Sequence, residues 1–449
     1  MKSAQPPKPS GKFQALFSRL VLIRPGELPA LAASFSYFFF LLFSYYMLRP
    51  LRDEMGIRSG VGQMQWLFSA TFVAMLLAAP LFALLAARYR RTPLVALSYG
   101  FFIACILGFW LWLESGRAPV WAARVFFVWL SVFNLFVVSV FWSLMSDIFN
   151  HRQAARLFSV IAAGGSLGAI LGPGMTALLA QQMAPRHLLL PAAGILALTL
   201  PCLWLLQHWK QRQAGTPDQQ REDPPPLGGS LLEGASTLLG SRYLLGICLF
   251  IWLYTTLATF LYFAQAGIVQ NHLSDSGDRT TLFALLDAAT NLLTVILQLF
   301  VTARLVRYLG LSRTLATVPA LLAVGLLVLA ALPLLLTIGL LQIVRRAGNY
   351  AIAKPGREML FTVLPRMQKY KSKNIIDTVV YRGGDAVAGW IYTLLTSAGL
   401  GTGGIALLAA PLAALWALTG YRLGQAQQRI IQRQETENGQ HPETPITTL

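Results

Sequence analysis

Apolar residues fall into twelve runs, each long enough, at about 20 residues, to cross the hydrocarbon core of a bilayer as a helix. The runs cover roughly 29–48, 63–87, 93–113, 121–146, 157–181 and 188–207, then 243–268, 280–303, 314–332, 336–363, 374–398 and 403–422. Between the two sets lies a polar stretch near 208–241, containing "QRQAGTPDQQREDPPPLGGS". Rich in proline and glycine, it has too little apolar surface to bury and is expected to be a linker. The pattern predicts an all-α membrane protein with twelve transmembrane helices. Its expected parts are an N-terminal segment 1–28, a six-helix bundle 29–207, the linker 208–241, a second six-helix bundle 242–424 and a tail 425–449.

Charge orients this string of spans. Segments on the side of the two chain ends hold 24 Lys and Arg, the opposite loops hold 6, and the spans hold the other 6. Basic loops stay in the cytoplasm, so both termini are expected there, in a bacterial inner membrane. The basic N-terminus (Lys2, Lys8, Lys12, Arg19, Arg24) does not open a signal peptide. The apolar run after it is too long, and no small-residue cleavage site follows.

Composition agrees. The chain is 55% hydrophobic and 12% charged, against about 25% charged in a soluble domain. Net charge is +18, but the cations sit in short loops rather than in a groove interleaved with aromatics, so nucleic acid is not an expected partner. Cys105, Cys202 and Cys248 each lie inside an apolar run and have no metal spacing. The five histidines show no HExxH-like spacing and no Walker loop is present, so neither a metal, a cofactor, a catalytic residue nor an ATP-driven pump is indicated.

A faint internal repeat links the halves. "HRQAARLFSVIAAGGSLG" enters the fifth span and "KSKNIIDTVVYRGGDAVAG" the eleventh, each running from a basic loop to a Gly-Gly pair. Gly164 and Gly383 are 219 positions apart, about one half-length. Such glycines let helices approach closely. Six spans, a cytoplasmic linker and six more spans resemble the layout of the major facilitator superfamily, in which two pseudo-symmetric bundles enclose a central cavity. "RYRR" after span two (Arg88, Arg90, Arg91) matches only the basic end of that superfamily's loop motif and also serves as an orientation signal. "GGSLGAILGP" in span five partly resembles the Gly-Pro motif of facilitator exchangers, and tight packing explains it equally.

Charges inside spans narrow the function. Each costs about 2.5–3.5 kcal/mol at a helix centre. In span eleven Asp377, Arg382 and Asp385 need partners or water, and Arg382 and Asp385 are i,i+3 neighbours able to pair. Pairing explains tolerance; a wet cavity with a polar task explains presence. Span ten carries Arg345 and Arg346 roughly 12–15 Å from its outer end, then Asn349, Tyr350, Lys354, Pro355, Arg357 and Glu358. Pro355 is expected to loosen that helix. Adjacent positions point about 100° apart, which favours Arg346 over Arg345 for the cavity. Glu358 has Arg357 or Lys354 as expected partner. Arg124 in span four reads as a snorkelling end residue, and Asp287 in span eight as a cavity or proton site above Asn291. Tyr254, Thr255, Thr259, Tyr262 and Gln265 form a polar stripe on span seven that serves either a cavity or helix packing. Basic residues outnumber acidic ones around this pathway, and Arg49 and Arg52 flank the mouth of span one, which suits an anionic solute.

Three stretches resemble the nucleotide exchange transporter family, the ATP/ADP translocases of plastids and intracellular bacteria. "YYMLRPLRDEMG" resembles its Leu-Arg-x-x-Lys-Asp segment, with Arg49, Arg52 and Asp53 on the charged positions. "FWSLMSDIFNHRQAARLF" keeps the spacing from Phe-Trp to the Glu-Ala-Lys-Arg-Phe-Tyr ending. "NYAIAKPGREMLFTVLPRMQKYKSKNIID" resembles a Lys-Tyr…Pro-x-Lys-Glu-Met…Lys-x-Lys-x-x-x-Asp pattern through Tyr350, Pro355, Arg357, Glu358, Met359, Lys371, Lys373 and Asp377. The chain departs from that pattern in span four, where "WLSVFNLF" offers Ser131 or Asn134 in place of a carboxylate. It departs again at Asp385, which stands near a family lysine, at Asn349, which replaces a lysine, and at Lys354, which replaces an aspartate. The resemblance implies a secondary active transporter, an antiporter, that moves an anionic, phosphorylated or nucleotide-like solute by alternating access; a monomer without cofactor is expected. Arg49, Arg52, Arg346, Asn349, Tyr350 and Arg382 would bind substrate. Asp53, Asp287, Arg357, Glu358, Asp377 and Asp385 would gate or couple. A facilitator coupled to protons and moving another solute, such as an organic acid, a drug-like amphiphile or a cell-wall fragment, is the alternative. A non-transporting scaffold or sensor is a third reading.

Overall fold

The computed structural model describes residues 26–88, 91–213 and 238–439. Most of the expected N-terminal segment, two residues of the loop after span two, most of the linker and the last part of the tail lie outside the described residues. Among the described residues all regular structure is helical. Nine helices in that set are long and apolar enough to cross a membrane unaided. One of them, Ser276–Ala331, is two helices that meet at Gly310. There φ is 72° and ψ 168°, a backbone that glycine adopts without strain and other residues resist. Spans ten and eleven are outside the nine because each is interrupted. Leu335–Gly348 passes through a π turn at Asn349–Ala353 into Lys354–Leu360; Arg366–Ile375 passes through another at Ile376–Val380 into Tyr381–Ser397. With the bend at Gly310 and these two broken helices, the described residues make the twelve crossings that the apolar pattern predicts.

Each half has its own core. Tyr37, Leu41, Phe126, Phe133, Phe141 and Leu196 are buried together in the first. Leu257, Leu315, Ile338, Ala388 and Trp416 belong to the second, which also takes in Ile57 and Met64 from the first half. The glycines of span five explain how the first bundle closes on itself. A Cβ on Gly164, Gly168 or Gly172 would press into the carbonyl oxygens of Phe35, Phe39 and Phe43 in turn. This four-residue ladder lets spans one and five touch backbone to backbone. Gly384 makes room between spans eleven and seven for a side chain instead, since a Cβ there would strike the Thr255 hydroxyl.

Pro355 has a traceable effect on span ten. Lacking an N–H, it cannot bond the carbonyl of Ala351 one turn back. That carbonyl accepts instead from the Thr302 hydroxyl at 2.8 Å. The neighbouring Tyr350 carbonyl accepts from Gln298 Nε2 at 3.5 Å. The freed backbone of span ten is thus satisfied by span eight, and the π turn 349–353 sits where the ladder is broken.

The halves meet most firmly at the end away from the chain ends described. Arg279 reaches Glu54 at 3.0 Å, Trp390 Nε1 donates to Ser69 Oγ at 3.0 Å, and the Trp66 and Trp390 rings lie 4.8 Å apart. This is the closed end. Mid-membrane, one turn beyond Asp287 on span eight, Asn291 Nδ2 donates to the Ala169 carbonyl of the other half at 2.6 Å. Near the other end, Arg156 pairs with Glu27 at 2.9 Å and Lys373 with Glu358 at 2.6 Å, each of these bonds lying within one half.

Candidate functional site

Between the halves lies a cavity of about 560 Å³, a size that suits a small molecule. Span one supplies Tyr45, Tyr46, Arg49, Arg52 and Asp53; span four supplies Ser131 and Asn134 with Leu135 and Val138; span seven supplies Tyr254, Thr259, Tyr262 and Gln265; spans ten and eleven supply Gln342, Arg345, Arg346, Tyr350, Tyr381, Arg382 and Asp385. Five arginines line it, against two carboxylates.

Asp287 stands just behind this lining, fully buried on span eight. Arg346 NH2 donates to its Oδ1 at 2.5 Å, and Arg49 Nε lies 3.7 Å from its Oδ2. Arg49 belongs to the first half and the other two to the second, so one carboxylate is shared across the bundle interface. Asp53 makes the complementary link. Its Oδ1 accepts from Tyr262 of the other half at 2.8 Å and has Arg52 NH1 at 3.4 Å. Arg52 is further fixed by donating Nε to the Phe127 carbonyl at 3.1 Å and by lying 3.7 Å over the Phe127 ring, a cation–π contact.

Arg345 is held differently. Buried, it donates Nε and NH2 to Gln342 Oε1 at 3.1 and 2.7 Å, with Tyr254 OH 3.5 Å from NH1. The Gln342 amide is oriented by donating Nε2 to Gln265 Oε1 at 2.7 Å. No salt bridge among the described residues uses Arg345. Arg382, the most open of the five, has Asp385 Oδ2 at 3.7 Å, and Asp385 Oδ1 accepts from Thr259 at 3.3 Å.

The expected residues therefore separate into groups. Arg49, Arg52, Asp53, Arg346, Tyr350, Arg382 and Asp385 line the cavity, and Asp287 anchors it. Asn349, next to Tyr350 and about 100° round the helix, is not among the lining residues. Arg357, Glu358 and Asp377 form a separate cluster toward the other end of spans ten and eleven, with Arg357 NH2 3.1 Å from Asp377 and 3.5 Å from Glu358. Asn291 is engaged by Ala169 rather than by Asp287. Arg124 donates to the Ser59 carbonyl at 3.4 Å and lies over Trp121. Thr255 packs under Gly384 instead of lining the cavity. The sequence reading that set Arg346 against Arg345 is incomplete. The 100° between them sends Arg346 toward span eight and Arg345 toward span seven, and both walls belong to one cavity.

The sequence matches the Major Facilitator Superfamily over residues 30–353. The chain belongs to that superfamily. Solved transporters share the fold of this facilitator at low identity. A bacterial homologue of the human lysosomal transporter Spinster, in an inward-facing and unoccupied conformation, is 12% identical with a TM-score of 0.57, over 91% of this chain and 95% of that one. The POT family transporter PepTSo gives 12% and 0.64 over 89% and 98%, and the nucleoside transporter NupG 13% and 0.62 over 89% and 99%. A comparison with curated proteins gives no match. The facilitator is thus a membrane transporter by family, with its central cavity where the two bundles meet.

Proposed function

We propose that this facilitator moves an anionic solute by alternating access. The observation that carries the reading is the charge of the cavity. Five arginines face two lining carboxylates and the buried Asp287, and Arg345 is held by an amide and a phenol. Three carboxylates cannot balance five guanidiniums, and phosphate or carboxylate oxygens of a solute supply the missing negative charge. In this reading Arg49, Arg52, Arg346 and Arg382, with Tyr350 and the unforeseen Arg345, hold the anion. Asp53, Asp287 and Asp385 occupy the arginines of the empty carrier and yield them to substrate. Because Arg49–Asp287 and Tyr262–Asp53 join the halves, an anion that displaces either carboxylate loosens the bundle interface. A ligand drives such a switch only by its different affinity for the two states. Arg357, Glu358 and Asp377 gate the end opposite the closed one.

The resemblance to nucleotide exchange transporters makes nucleotides and phosphorylated metabolites the first candidates and antiport the first mode. The Lys and Arg distribution favours a cytoplasmic opening, and a cavity enclosed by one chain favours a monomer. Uptake of labelled nucleotides and phosphorylated metabolites into liposomes tests the proposal. It fails if neutral solutes cross and none of these anions does. A second reading, proton coupling, draws on Asp385, which lines the cavity and whose arginine stands at 3.7 Å. It requires transport driven by a pH gradient that Asp385→Asn abolishes.

A further inference from the structure

A second concavity, of about 520 Å³, lies far from the central one, between span seven and the last helix, Thr402–Gly439. Leu249, Leu415 and Leu418 line one part of it, and Arg242, Arg422, Arg429 and Arg433 the other. Helix geometry makes this a graded stripe. At 100° per residue, positions 415, 418, 422, 429 and 433 fall within an arc of roughly 60°. Along it the side chains change from apolar to basic at Arg422, where the last apolar run ends. Arg242 opens the neighbouring span at the same end.

All four arginines are exposed, and no salt bridge among the described residues uses them. Other cations at this end do have carboxylates, as Arg156 has Glu27 and Lys373 has Glu358. An orientation signal needs cations anywhere in these loops. It does not need four of them, from two spans far apart in sequence, converging on one groove with an apolar wall. Clustered like charges repel and are stabilised by a counter-anion.

We propose that this groove binds an anionic glycerophospholipid. Its acyl chains lie against Leu249, Leu415 and Leu418, and its phosphate sits between Arg242 and Arg422, at the depth where a bilayer carries headgroups. Arg429 and Arg433 lie about 10 and 16 Å further along the helix and draw further anionic headgroups to the same face. The lipid thereby ties the last helix to span seven, whose Tyr254, Thr259 and Tyr262 line the central cavity. The site is independent of what that cavity carries.

The test uses the full-length protein in neutral detergent, with phosphatidylglycerol or phosphatidylcholine of matched acyl chains added. Retained lipid is counted by native mass spectrometry and stability is read as the melting temperature. Each basic contact is worth about five-fold in affinity. Phosphatidylglycerol is therefore expected to be retained and to raise the melting temperature. Arg242→Gln/Arg422→Gln is expected to weaken retention about 30-fold, and Arg242→Lys/Arg422→Lys to keep most of it. The proposal is overturned if phosphatidylcholine is retained equally, if the glutamine variant keeps its phosphatidylglycerol, or if glycerol 3-phosphate alone displaces the lipid. The arms on the unaltered protein decide the matter even where a variant is not recovered.

Discussion

Asp287 is fully buried with Arg346 and Arg49 as its cations, and that sets the cost of altering any of the three. Breaking a buried pair leaves an uncompensated charge, whereas removing both charges does not. Asp287→Asn, which strips both arginines of their carboxylate, is expected to cost about 3 kcal/mol, seen as a lowered melting temperature, and Arg346→Gln/Asp287→Asn to regain part of it, since Arg49 stays unpaired. Equal melting temperatures for the single and double variants would exclude the pair as a stabilising unit. Arg345 differs, because its partners are neutral. Arg345→Gln is expected to leave the fold intact and to weaken anion binding about ten-fold or more, the loss of one charge-assisted contact. Isothermal titration with the transported anion checks this; an unchanged affinity would remove Arg345 from the site.

At the scale of helices, close approach and a broken backbone ladder make separate claims. Gly168→Leu should destabilise by about 1–3 kcal/mol through overpacking between spans one and five. Gly174→Ala, with nothing within 4 Å of its Cβ, should be silent on the same thermal assay. Thr302→Val should cost about 1 kcal/mol while Pro355 leaves the Ala351 carbonyl free, and little once Pro355→Ala restores the N–H. Additive effects in that double-mutant cycle would mean the hydroxyl does not replace the missing bond. The twelve crossings were legible in the sequence because apolar length and Lys/Arg bias are one-dimensional signals. The break in span eleven has no local breaker and was missed, whereas that in span ten was legible through Pro355. The roles of Arg345 and Asn349 were not. Arg345 precedes the π turn and Asn349 opens it, and which wall each meets depends on how span ten packs against spans seven and eight, which no local pattern encodes. Arg279 and Glu54 likewise read as ordinary loop and helix-end charges until the fold brings them together.

For the whole molecule, the closed end is secured by few bonds, and weakening them should shift the population of states. Arg279→Gln is expected to speed labelling of Ser69→Cys, beside Trp390, by an impermeant maleimide from the closed side, on the order of ten-fold. A cysteine-free background is needed, since Cys105, Cys202 and Cys248 are free. An unchanged rate would mean that the Arg279–Glu54 bridge does not hold this end shut.

That bridge also bears on how the protein is made. Glu54 and Arg279 are 225 residues apart, and Glu54 is fully buried. At about 5–20 residues per second, a ribosome needs roughly 10–45 s to deliver the arginine after the glutamate has entered the membrane. For that interval the nascent first bundle carries an acid without its eventual cation, so biogenesis includes a stage in which a half-finished transporter is exposed to membrane quality control. A first bundle expressed alone should be short-lived, and supplying the second bundle as a separate chain should extend its lifetime.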